Sequence, residues 1–306
     1  MSQARKLRTA VLGVGYLGQF HAQKHKASPY AELIGVFDVS TERAQKIAED
    51  LGVQAFTQLS QLEKKVDAVT ISAATQAHYE LALWCLNHGI HVNVEKPIAA
   101  ELGQAEELVR VARANSLKLA VGHVERFNPA VLAMKAMDFK PEAMILLREG
   151  PFKTRAADVS VLHDLMIHDV DLLTWLSGSE IKDFHVEKKK VFTQTWDWAQ
   201  VQVTMVNGMM ANITASRISI VPQRSLEFIK KSETLWAHLG TMELQHCKAT
   251  PQGTEPVANK IWTAEKIDAL QEETNSFLHA VLENKSPKVT GEDGLHALQI
   301  IEKWAK

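Results

Sequence analysis

The sequence has little that would staple a chain together outside a hydrophobic core, and little that would fix it to a charged or lipid surface. Two cysteines among 306 residues, Cys85 and Cys247, exclude a disulfide framework. No apolar run approaches the roughly 18 to 20 residues that span a bilayer. No charged start leads into an apolar leader, so neither membrane partners nor export is expected and the cytoplasm is the expected compartment. A formal charge of −2, with Lys and Arg spread along the chain, argues against a nucleic-acid partner. The one dense basic run, Lys188-Lys189-Lys190, reads as the solvated end of a strand. There is no fixed-period repeat and no low-complexity segment.

What the chain does have is apolar patterning. At 46% hydrophobic and 23% charged, it is long and apolar enough for two packed domains. LRTAVLG, AELIGVFD, KVDAVTIS, HVNVE and LKLAVGH are short β-branched runs, each followed by a helix-like pattern. That alternation predicts an α/β, doubly wound parallel sheet over residues 1–124. After Pro129 the pattern predicts one helix, a strand EAMILLRE, a loop at Gly150-Pro151 and a helix from about Val159 to Leu176. FHVEKKKVF, WAQVQVTMV, MMANITASRI and SLEFIKK then follow with few interruptions. The second domain, 125–306, is therefore expected to be α+β on a mainly antiparallel sheet, with helices at Ala264 to Leu282 and Glu292 to Trp304.

In Gly13-Val14-Gly15-Tyr16-Leu17-Gly18 the glycines stand as G-x-G-x-x-G between a strand and a helix. The first permits a tight turn, the second lets a pyrophosphate approach the backbone, and the third lets helix and strand pack closely. The helix N-terminus offers free N–H groups and a partial positive charge. Asp38, ending the next strand about twenty residues on, can accept hydrogen bonds from both hydroxyls of an adenosine ribose. A carboxylate there repels a 2′-phosphate, which favours NAD; Arg43 and Ser40 beside it leave NADP open.

Glu95-Lys96-Pro97 closes the fourth of these strands and aims a lysine into the crevice where open α/β sheets bind ligands. Taken with the glycine loop, with Thr75-Gln76-Ala77-His78 opening a helix, with Arg126-Phe127-Asn128-Pro129 and with Asp164-x-x-x-His168, this triplet resembles the Gfo/Idh/MocA oxidoreductases over essentially the whole chain. One departure is Ala74, where the family often has proline. The resemblance implies an N-terminal Rossmann domain, and a C-terminal sheet through which copies form a homodimer or homotetramer. It also implies cofactor contacts at Gly13, Gly15, Tyr16, Leu17, Gly18, Asp38 and Arg43, and at Ala73, Thr75, His78, Glu95 and Lys96.

Asp164 and His168 are four apart, so on a helix they share a face, beside a stripe of Leu162, Leu165, Leu172, Leu173 and Leu176. An imidazole is a natural acceptor for an alcohol proton, and a neighbouring carboxylate can orient it. The expected chemistry is hydride transfer from a secondary alcohol to the nicotinamide: His168 as base, Asp164 as its orienter, Lys96 as the stabiliser of alkoxide charge. A metal site is not expected. His163 and His168 are five apart, which on an α-helix points them in different directions, and His21, His25 and His123 carry no signal of their own.

Arg148-Glu149-Gly150-Pro151-Phe152, Arg155, Asp158-Val159 and Gly122 to Pro129 are similar to a subgroup of the family, the UDP-N-acetylglucosamine 3-dehydrogenases. That implies a substrate hydroxyl at C3 of a UDP-N-acetylhexosamine. Arg126 or Arg155 would supply a planar donor fork for its diphosphate, with Lys96, Asp164 and His168 at the sugar. Two alternatives stand beside this one: an inositol or free-sugar dehydrogenase of the same family, and a dinucleotide-sensing binding protein without turnover. The second would have no use for a proton acceptor.

Overall fold

The computed structural model describes residues 5–153, 158–250, 253–262 and 267–306. Strand and helix alternate through the first part as β1 (Leu7–Leu12), α1 (Tyr16–Ala27), β2 (Ala31–Phe37), α2 (Thr41–Leu51), β3 (Gln54–Phe56), β4 (Ala68–Ile71), α3 (Thr75–Asn87), β5 (His91–Glu95), α4 (Leu102–Ala114) and β6 (Leu119–Gly122). All six strands are parallel, in the order β3-β2-β1-β4-β5-β6. This order reverses direction at β1, and the reversal opens a crevice at the carboxyl ends of β1 and β4. Helix boundaries follow local chemistry: Ser40 caps α2 by accepting from the Arg43 N–H, and Gly52, with φ of 63°, ends it in the left-handed region.

The second part continues with α5 (Pro129–Ala136), β7 (Ala143–Glu149), a π-helical turn at Leu162–Met166, α6 (Ile167–Ser177), β8 (Ile181–Lys189), β9 (Trp198–Met205), β10 (Met210–Ser216), β11 (Gln223–Lys230), β12 (Glu233–His238), β13 (Glu243–Thr250) and β14 (Gly253–Trp262). These strands form one sheet in the order β14-β13-β12-β11-β7-β10-β9-β8. Every neighbouring pair is antiparallel except β7 with β10. Its core face buries Met144, Leu146, Val201, Val203, Ile213, Leu226 and Phe228, while Ile145, Leu147 and Met210, one residue out of phase, face the other way.

The chain closes with α7 (Ala269–Leu282) and α8 (Gly291–Ala305). Here the division into units departs from the expected one. Residues 1–124 and 268–298 form one compact unit, and 125–267 with 299–306 form the other. Everything after 124 was expected in the second domain, yet α7 buries Phe277 and Leu278 against Leu7, Ala31, Ala68 and Ala120 of the parallel sheet. The helix beginning expected at Ala264 lies at Ala269, where the Asp268 carboxylate accepts from the N–H groups of Leu270 and Gln271. Among the described residues no helix is long and apolar enough to cross a membrane.

Candidate active site

The loop from β1 to α1 is as tight as its glycines require. Gly13 has φ of 84°, and a Cβ on it would lie 2.5 Å from the backbone nitrogen of Ala73. A Cβ on Gly18 would lie 1.8 Å from the Gly13 carbonyl oxygen. Gly15 is different: nothing among the described residues lies within 4 Å of its Cβ position, and as the N-cap of α1 it brings no side chain to the free N–H groups. Two glycines are thus demanded by packing and one leaves an open cradle at a helix N-terminus, which fits a pyrophosphate.

Asp38 stands at the end of β2. Its Oδ2 accepts from the Val14 N–H at 2.9 Å and its Oδ1 from the Ser40 N–H at 2.9 Å. Arg43 Nη1 donates to both oxygens at 3.1 and 3.2 Å. The carboxylate is therefore held rigidly against the glycine loop, as a ribose acceptor requires. The guanidinium that could have met a 2′-phosphate is engaged with it.

Past β4, Ala74 caps α3 with φ of −65°, the angle that proline imposes, so the loop keeps its path without the ring. Thr75 opens the helix, half-buried. His78, expected among the cofactor contacts, is buried and turned inward: Nδ1 lies 2.8 Å from the Pro97 carbonyl and Nε2 3.1 Å from the Ala73 carbonyl. Burial pulls its pKa down, against the pull of the two carbonyls, so the ring is neutral and donates to one of them. It clamps the loop after β4 to the loop after β5 instead of presenting a face to a ligand. Glu95 is likewise engaged inside the unit, through His21 at 2.8 Å and the Lys96 N–H at 3.3 Å. Lys96 is half-buried at the end of β5.

In the second unit, Asp164 and His168 are half-buried and sit where the π-helical turn passes into α6. The Ile167 N–H reaches back five residues to the Leu162 carbonyl, so the regular helix expected over Val159 to Leu176 contains one inserted residue. A π-turn advances less per residue, which leaves positions four apart on one face. It also weakens the argument that separated His163 from His168, but His163 is otherwise occupied, with Nε2 2.9 Å from Glu302.

Arg126 is a correction. It is 5% exposed, with Nε and Nη2 at 2.9 and 2.6 Å from the two oxygens of Asp171 and its guanidinium over Trp175. A fork closed on a buried carboxylate is a structural ion pair and not a diphosphate anchor. Arg148 is built the same way, with Nε and Nη2 on Asp169 at 3.0 and 2.8 Å and Nη1 on Glu125 at 3.0 Å. Burial alone would lower the Arg148 pKa, but Asp169 and Glu125 push it up. The sign of these pairs was in the sequence: Asp169 and Asp171 interrupt an otherwise apolar helical run, and buried acids call for partners. Arg155 lies outside the described residues.

Comparison with known proteins gives the same reading. Residues 7–123 match the oxidoreductase family with an NAD-binding Rossmann fold, and residues 133–232 match the Gfo/Idh/MocA C-terminal domain. The chain is 34% identical, over 95% of its length and 94% of the relative's, to the UDP-N-acetylglucosamine 3-dehydrogenase of Acidithiobacillus ferrooxidans. A solved structure of that enzyme superposes with a TM-score of 0.90 at 33% identity, covering 99% of this chain and 97% of that one. The myo-inositol 2-dehydrogenase of Thermotoga maritima is 24% identical over 95% of this chain and 93% of its own. At 20% identity, the scyllo-inositol dehydrogenase of Lactobacillus casei, solved with NAD(H) and scyllo-inositol, shares the fold with a TM-score of 0.81, over 97% of this chain and 95% of that one. With both halves matched and the glycine cradle intact, this chain belongs to the Gfo/Idh/MocA family of NAD-binding oxidoreductases.

Proposed function

We propose that this protein is a cytoplasmic NAD-dependent dehydrogenase that oxidises the C3 hydroxyl of a UDP-N-acetylhexosamine. The observation that carries the reading is full-length likeness to the Acidithiobacillus enzyme, 34% identical over 95% of the chain. Inositol dehydrogenases of the same family are more distant, at 24% for the Thermotoga protein.

NAD, when bound, supplies the hydride acceptor at C4 of its nicotinamide. The chain supplies the rest. Gly13, Gly15 and Gly18 open the α1 N-terminus to the pyrophosphate, and Asp38 holds the adenosine ribose. His168 takes the hydroxyl proton, with Asp164 orienting the ring, and the Lys96 ammonium stabilises the oxygen as negative charge develops. Arg155 is the arginine we assign to the diphosphate, since Arg126 is committed to Asp171.

We infer too that copies associate through the outward face of the eight-stranded sheet, where Ile145, Leu147 and Trp236 are only partly covered and Met210 is 61% exposed. Light scattering should give a dimer or tetramer, and a monomer at working concentration would refute this.

The activity is tested by following reduced nicotinamide with purified protein, NAD and either UDP-N-acetylglucosamine or myo-inositol. The expected result is a kcat/KM for the nucleotide sugar exceeding that for inositol by ~10²-fold or more, the order that a site matched to a substrate's polar groups achieves. Turnover of inositol alone would transfer the assignment to the polyol dehydrogenases.

A further inference from the structure

Behind the glycine loop, the Rossmann unit buries a polar cluster that the reaction as described leaves unused. His21, on α1, has no exposed surface, and its Nε2 lies 2.8 Å from Oε1 of Glu95. The other Glu95 oxygen accepts the Lys96 N–H at 3.3 Å. Two residues back along the same face of β5, Asn93 Nδ2 donates to Oε1 of Glu273, from α7, at 3.2 Å. One atom each of His21, Glu95 and Glu273 fall within 4.8 Å of one another. Gly122 makes the space: a Cβ there would lie 3.2 Å from the Glu95 carboxyl carbon.

Three atoms in this cluster have no hydrogen-bond partner among the described residues. Oε2 of Glu273 and Oδ1 of Asn93 are acceptors whose residues are 3% and 1% exposed, and Nδ1 of His21 is the third. Two acceptors left over in one buried cluster call for a proton, which a carboxylic acid at Glu273 carries and a carboxylate does not. Charge balance gives the same answer. Two ionised carboxyls this close in a dry site repel, and His21 supplies one compensating charge. The remaining groups that act on the cluster are His25 beside His21 on α1, bonded to Thr70 at 2.8 Å, His78 on α3, and Lys96 itself. His25 is neutral, burial and the charge of His21 pushing its pKa down to about 3. His78 is neutral as well.

We propose that His21, Glu95 and Glu273 form a one-proton clamp that positions Lys96, with His21 and Glu95 as an ion pair and Glu273 as a neutral carboxylic acid. The proposal rests on the reading that Lys96 serves the reaction. Burial and the neighbouring Glu95 charge push the Glu273 pKa up to about 7. Burial works against the charges of both His21 and Glu95, but their mutual hydrogen bond and the attraction of neighbouring opposite charges together outweigh it, raising the pKa of the first and lowering that of the second. Loss of the Glu273 proton puts a second negative charge beside Glu95 and loosens the backbone that carries Lys96.

The test compares the parent with Glu273→Gln, which keeps the shape without the titration, and with His21→Gln. Infrared difference spectra across a titration around pH 7 read the carboxylic acid directly, needing no substrate. A C=O band of a protonated carboxyl should vanish on alkaline titration, be missing in Glu273→Gln, and move to higher pH in His21→Gln, where the cation that favours ionisation is gone. The NADH dissociation constant of the parent should weaken by about threefold or more over the same range and stay flat in Glu273→Gln. With UDP-N-acetylglucosamine as substrate, kcat of the parent should fall with the band, while Glu273→Gln keeps its rate on the alkaline side. If that sugar is not oxidised at all, the functional reading fails and the band and NADH affinity still judge the clamp. Absence of the band in the parent, as a divalent cation held by the three residues would cause, overturns the proposal. So does an NADH affinity whose pH dependence is the same in parent and Glu273→Gln.

Discussion

The Cβ position of Gly18 lies 1.8 Å from the carbonyl oxygen of Gly13, closer than any pair of unbonded heavy atoms can approach. Helix α1 can therefore meet the end of β1 only while Gly18 remains bare. Gly18→Ala should cost upward of about 3 kcal/mol in denaturant unfolding, because the obstacle is backbone and cannot rotate away. Gly15→Ala is the contrasting variant. With none of the described residues within 4 Å of the added methyl, stability should change by less than about 0.5 kcal/mol while NADH affinity, measured by fluorescence, drops.

Asp38 should set cofactor preference. Asp38→Ala removes the ribose acceptor and frees Arg43, which is held on both its oxygens at 3.1 and 3.2 Å. NAD binding should weaken by about 1 to 3 kcal/mol, and kcat/KM for NADP should rise relative to NAD. An unchanged ratio in steady-state kinetics would remove Asp38 from the ribose site.

The paired arginines of the second unit should act on stability. Arg126→Met leaves Asp171 as a buried, uncompensated carboxylate and should cost about 3 to 5 kcal/mol by urea unfolding. Arg126→Met combined with Asp171→Leu should recover most of that loss, with KM for the nucleotide sugar close to that of the parent. A KM raised by tenfold or so in the double variant would restore Arg126 as a substrate ligand.

Much of this was legible beforehand, for reasons visible in particular residues. β1, β2, β4, β5 and β6 are β-branched runs that turns terminate, so their period and their punctuation agree. The glycine loop was legible because each glycine answers a different steric demand. β3 escaped notice because three residues, Gln54–Phe56, carry no period. β12, β13 and β14 were missed because ETLWAH, ELQHCKAT and GTEPVANKIW mix charge into their alternation, and Pro256 reads as a strand breaker although an edge strand tolerates it. The return of α7 to the first unit depends on Phe277 and Leu278 finding Leu7 and Ala31, contacts across most of the chain that no local pattern encodes. Asp169 and Asp171 announce that buried acids need partners, but that Arg126, 45 residues away, closes on Asp171 is silent, as is the π-turn.

Proton transfer is tested at His168. His168→Asn keeps a polar side chain but cannot accept the proton, so kcat should fall by ~10²- to 10⁴-fold while NADH binding survives. Lys96→Met should also be severe, through loss of the charge beside the developing alkoxide. Retention of near-parental kcat in His168→Asn would take the base away from this residue.

If hydride leaves C3 of the sugar for the nicotinamide, as proposed, an isotope at C3 must travel with it. The protein is incubated with NAD and UDP-N-acetylglucosamine carrying deuterium at C3, and the reduced dinucleotide is weighed by mass spectrometry. The expected product is reduced nicotinamide heavier by one deuterium, with a slower initial rate than the protiated sugar gives when hydride transfer limits turnover. Reduced nicotinamide without the label, or no reduction of NAD by this sugar, would contradict it.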